Sequence, residues 1–115
     1  MIYEEIPDFD RKLVLEELNS GDPNRIVLAL LSTVLNGEDY EFSLKQIVKF
    51  SEHENEYIRG CAVECLGHVS RLYSIKLEES LTSRIINAGK HDPSDWVRRK
   101  TNDTLDDIEF FERKK

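Results

Sequence analysis

Few prolines and glycines punctuate this sequence, three and five among its 115 residues. Folds built from many short strands and tight turns need both residue types often, so the scarcity favours a helical chain. Cysteine is scarcer still, with only Cys61 and Cys65. These are not a CxxC motif, and four residues along a helix is poor geometry for a disulfide. Both thiols are expected to be free, in a reducing cytoplasmic compartment. No apolar run approaches the ~18 residues of a membrane span. The longest, 26–31, is far too short. The opening MIYEEIPDFDRK has no basic n-region and no apolar h-region, so no signal peptide is expected.

Signatures of chemistry are missing too. There is no G-x-S-x-G, no P-loop and no dinucleotide fingerprint. Cys61, Cys65 and His68 form C-x3-C-x2-H on one expected helix, whereas zinc sites gather ligands from separate segments. His53 and His91 lie in expected turns. The expectation is a protein with no catalytic residue, no metal and no cofactor.

Cations are in deficit: 16 Lys and Arg stand against 23 Asp and Glu, a net charge of −7. A nucleic-acid binder needs cations to displace counterions from phosphates, so nucleic acid is a poor partner. An anionic membrane surface is disfavoured for the same reason. A basic protein is the partner that the charge suits. The negative charge is concentrated. Residues 1–57 hold 13 acids and 5 bases, net −8, while residues 58–115 hold 10 acids and 11 bases, net +1.

What is present is helical periodicity. Apolar residues recur at three- and four-residue spacing over 10–20, 23–36, 40–52, 54–73, 77–88 and 93–111. Leu13, Val14, Leu15 and Leu18 form a broad stripe on the first helix. The second, with Ile26, Val27, Leu30, Leu31 and Val34, is apolar on most of its circumference and should be central. Gly21 suits a helix C-terminal cap, Asp22 an N-cap, and Pro23 a first helical position. Gly89 is a plausible terminator for the fifth helix. Gly60 and Gly67, seven apart inside the fourth, suit a close helix approach. The one stretch that alternates like a strand, EDYEFSLKQ, is short. The fold expected is all-α, about six antiparallel helices in one domain spanning 1–115.

The chain also repeats. Val27, Ile58 and Val97 fall in one column, followed by Leu31, Ala62 and Thr101, then Leu35, Leu66 and Leu105. IRGCAVECL (58–66) and VRRKTNDTL (97–105) carry a V-R-x-x-A-x-x-x-L pattern, although Thr101 replaces the alanine and VLALLSTVL (27–35) lacks the arginine. This resembles the HEAT-repeat family, whose units are helix pairs with an acidic or proline-bearing turn. The resemblance implies three stacked helix pairs sharing one core. It also implies that Arg59 and Arg98 point back at turn carbonyls or acids. In HDPSDWVRRK (91–100), Asp92 can cap the sixth helix and Pro93 can occupy its first turn.

The candidate site follows from charge and aromatics. Glu38, Asp39 and Glu41 begin the third helix, and Glu52, Glu54 and Glu56 surround the next turn. Such acids can steer and hold a basic protein. Tyr57 and Trp96 occupy equivalent repeat positions next to the buried column, where they can either anchor a partner or pack in the core. The sequence is similar in size and charge to bacterial immunity proteins against toxic nucleases, some of which use helical-repeat folds. That likeness implies a stoichiometric inhibitor of a basic enzyme. The other reading is a HEAT-like scaffold or adaptor without inhibitory role.

Overall fold

The structure, a computed structural model, describes residue 6 and residues 8–73 and 79–113. It contains six helices: α1 (Arg11–Leu18), α2 (Pro23–Asn36), α3 (Tyr40–Phe50), α4 (Glu56–Tyr73), α5 (Glu79–Lys90) and α6 (Asp95–Arg113). The all-α class is as expected, and no strand occurs among the described residues.

Short polar side chains set where the helices start. Asp10 accepts from the Leu13 amide, Asp22 from those of Asn24 and Arg25, and Asp39 from that of Phe42. Each satisfies a helix N–H that would otherwise have no partner. Pro23 takes the first position of α2. Gly21 has φ 75°, the left-handed conformation that glycine adopts without penalty.

Two starts differ from expectation. α4 begins at Glu56, not residue 54, because Asn55 Oδ1 accepts from the amides of Tyr57 and Ile58. α6 begins at Asp95, not Pro93, because Ser94 is its cap and accepts from the Val97 amide. Asp92 is not the cap: its carboxylate takes the Ser94 amide and the Arg59 guanidinium instead. The expected start of α5 at Leu77 lies outside the described residues.

α4 is the centre of the packing. α2 and α6 lie against it, as do α3 and α5, while α1 packs on α2 and α5 on α6. Ile58, Ala62, Cys65, Leu66 and Val69 are fully buried on α4, and Leu30, Leu31 and Val34 on α2. Both cysteines are free and buried. A hydrogen bond with Cys61 and burial push the Cys65 thiol well above its ordinary value, so it is an inert core residue. The broad stripe expected of α1 is narrower than the sequence suggests. Val14 and Leu18 are buried, but Leu13 and Leu15 are 52% and 40% exposed, because α1 has α2 alone as a large neighbour.

Glycine sets the closest helix approaches. A Cβ on Gly60 would fall 2.6 Å from Trp96 Nε1 of α6. Gly89 does not end α5; it is buried one residue inside, where a Cβ would overlap Thr101. Ala88, the last residue of the expected 77–88 span, is exposed. Thr101 is fully buried and returns its hydroxyl to the Val97 carbonyl at 2.7 Å, so the threonine that departs from the repeat pattern is satisfied locally.

The three helical glycines should therefore separate on substitution by alanine. Gly60→Ala and Gly89→Ala should each cost ~1–3 kcal/mol through overpacking. Gly67→Ala, whose nearest neighbour would be Thr104 Cγ2 at 3.7 Å, should stabilise by up to ~1 kcal/mol through helix propensity. Urea unfolding monitored by circular dichroism reads all three.

Candidate functional site

The turn before α4 and the turn before α6 lie side by side, and Arg59 joins them. Its Nε and Nη2 donate to the two carboxylate oxygens of Asp92 at 2.8 and 2.9 Å. Its Nη1 donates to the carbonyls of His53 and Glu54 at 3.0 and 2.8 Å. The side chains of Arg59 and Asp92 are only 16% and 11% exposed. The Arg59 guanidinium holds the Asp92 carboxyl below its ordinary value of 3.8. Arg98 repeats the theme at smaller scale, donating to the Asp92 carbonyl and to the Asp95 carboxylate. Both arginines of the repeat pattern thus face turn groups, as the resemblance implied.

This joint presents the aromatic pair. Tyr57 and Trp96 meet edge to face, with centroids 5.5 Å apart. Tyr57 is 51% exposed and Trp96 half-buried. Trp96 Nε1 is buried against Gly60, with no hydrogen-bond partner among the described residues. Lys100 Nζ sits 4.8 Å from the indole centroid and 3.5 Å from Glu64 Oε2. His68, 3.8 Å from Glu64, is held below its ordinary pKa mainly by burial. Glu52, Glu54 and Glu56 are exposed around the same turn, and Glu56 accepts from the Ser94 hydroxyl.

The other three expected acids are elsewhere. Glu38, Asp39 and Glu41 stand at the N-terminal end of α3, and the 52–56 group lies past its C-terminal end. A helix of 11 residues separates them by about 16 Å, so the six acids form two patches. Asp39 is also structurally engaged. It caps α3, a bond that lowers its pKa, and pairs with Arg11 at 2.9 Å. Glu38 and Glu41 are exposed.

Nothing here assembles a metal centre: among the described residues no group of three His, Cys, Asp or Glu could hold an ion. No helix among them is long and apolar enough to cross a membrane. The Asp92 partnership was hidden in the sequence by a separation of 33 positions, although Arg59 and Asp92 both belong to the repeat pattern.

No protein-family model matches the chain, so the HEAT resemblance rests on its own residues. No curated protein matches it either. Among solved structures, it is similar to a chain in the crystal structure of a CDI complex from Cupriavidus taiwanensis LMG 19424. The two are 26% identical and superpose with a TM-score of 0.79, over 96% of this chain and 97% of that one.

Arg59→Ala should cost about 3 kcal/mol, since it strands a largely buried carboxylate. Asp92→Asn gives the pH signature. A carboxyl depressed in the folded state stabilises above its unfolded value and loses that contribution as pH falls through the folded one. The deficit of Asp92→Asn relative to wild type should therefore be full at pH 7 and shrink below about 3.8. Chemical unfolding of both proteins from neutral to acid pH checks the sign.

Proposed function

We propose that this chain is a stoichiometric inhibitor of the immunity type, which binds and neutralises a basic enzyme such as a toxic nuclease. The observation that carries the reading is the end-to-end similarity to a chain of a CDI complex. We read CDI as contact-dependent inhibition, a toxin held by its immunity protein. Charge supports the same reading. A nuclease must be basic to hold phosphate, and the first half of this chain carries net −8. An inhibitor of this kind works by occupying its target and needs no chemistry of its own. Its place of action is the cytoplasm, where both thiols stay reduced.

In this reading Tyr57 and Trp96 are the anchors, and Glu52, Glu54 and Glu56 ring them with charge. Glu38, Asp39 and Glu41 form a second patch that steers the partner. Three stacked HEAT-like pairs are part of the proposal. What supports them is the order of packing, with α1 on α2, α3 on α4, α5 on α6, and α2, α4 and α6 in series.

A pull-down with this chain as bait, followed by an activity assay of whatever is retained, tests the reading. One basic enzyme held at stoichiometric level and inhibited on addition of the chain is the expected result. Changing Glu52, Glu54 and Glu56 together to Lys should slow association by roughly tenfold or more, with a loss that fades at high salt. Tyr57→Ala should raise dissociation, by about 2 kcal/mol if it is a hot spot. No retained enzyme, or one indifferent to both changes, would sink the proposal.

A further inference from the structure

Leu13, one of the two exposed leucines of α1, borders a cleft. Leu13 and Val14 of α1 face Leu28, Ala29 and Ser32 of α2 across a space of about 160 Å³. That is close to the cavity volume that takes a benzene-sized group. Leu13, Val14, Leu28 and Ala29 make the middle of the cleft aliphatic, Asp8, Asp10, Glu17 and Arg25 line it as well, and Ser32 adds a hydroxyl. Ser32 is 1% exposed, and its hydroxyl has no hydrogen-bond partner among the described residues. The next residue, Thr33, returns its hydroxyl to the Ala29 carbonyl at 2.8 Å. A buried hydroxyl left without a partner is unusual and costly.

The two ends of the cleft differ in charge. Four residues join α1 to α2, so the helices run antiparallel. Counting turns puts Asp8 and Asp10 at the Ser32 end and Glu17 with Arg25 at the other. Glu17 and Arg25 neutralise each other through two bonds of 2.6 and 2.8 Å. Asp8 and Asp10 are exposed and form no ion pair among the described residues, and Asp10 uses one oxygen to cap α1. The cleft is thus an apolar slot with uncompensated negative charge at one end.

We infer that this cleft is a second docking site, which takes one leucine-sized or phenyl side chain flanked by lysine or arginine on a protein partner. It is distinct from the Tyr57–Trp96 surface and rests on the inhibitor reading for the kind of partner. Charge complementarity selects that occupant. A neutral apolar molecule would leave the carboxylates unused, and a second copy docked cleft to cleft would offer them either the same acids or the already neutralised Glu17–Arg25 pair. The slot supplies apolar contact, and Asp8 and Asp10 supply register for the flanking cation.

The test uses the full chain and a defined probe. Amide NMR spectra are recorded during titration with the peptide Lys-Lys-Leu-Lys-Lys, and with its counterpart carrying glutamate for lysine. Shifts centred on Leu13, Val14, Leu28, Ala29 and Ser32 are expected with the basic peptide alone. Leu13→Glu should weaken them roughly tenfold. Leu13 is half exposed, so this variant should keep the wild-type spectrum elsewhere. Absence of shifts at millimolar peptide, equal shifts with the acidic peptide, or shifts centred on Tyr57 and Trp96 would overturn the inference. The inhibitor reading fails separately. An enzyme retained equally by wild type and Leu13→Glu removes the cleft and leaves that reading standing. Binding of the basic peptide at the cleft with no enzyme retained does the reverse.

Discussion

One guanidinium holds together the turns before α4 and α6. Arg59 reaches from the first turn of α4 to the Asp92 carboxylate in the turn before α6, and to two carbonyls in the turn before its own helix. Four bonds to fixed oxygens leave the side chain little freedom. They set the two turns in one register, and that register brings Trp96 over Gly60 and Tyr57 against Trp96. A lysine could reach the same carboxylate but not fork between it and the carbonyls.

For the binding proposed above, the consequence is preorganisation. An exposed tyrosine on a mobile loop loses entropy when a partner orders it. Tyr57 instead sits on the first turn of a long helix and leans on an indole that is itself wedged between helices. The Trp96 ring is further framed by Lys100, which Glu64 holds in place. An anchor built this way presents apolar surface at small entropic cost, and the surrounding glutamates can govern approach while the aromatics govern residence.

The centre and the edge of the packing have different characters for a simple reason. α4 has neighbours on several sides and buries nearly its whole circumference. α1 has α2 as its one large neighbour, so it buries one narrow face and leaves leucines outside. The same lack of cover opens the cleft between α1 and α2, and the acids that cap and flank α1 give that opening its sign.

Six helices, and their described limits to within two residues, were legible in the sequence. Periodicity placed all six, and Asp22-Pro23 marked the start of α2 to the residue. The HEAT resemblance implied that Arg59 and Arg98 would serve turns, and their bonds to turn carbonyls and to Asp92 agree with it. Tertiary structure decided the rest. It chose Ser94 over Asp92 as the cap of α6, because Arg59, remote in sequence, claimed the carboxylate. It kept Gly89 inside α5, because the Thr101 side chain leaves no room for a Cβ there. It divided six acids that look like one cluster into two patches, because α3 stands between them. It exposed Leu13 while burying Val14, because periodicity marks which residues share a face but not how much of that face a neighbouring helix will cover.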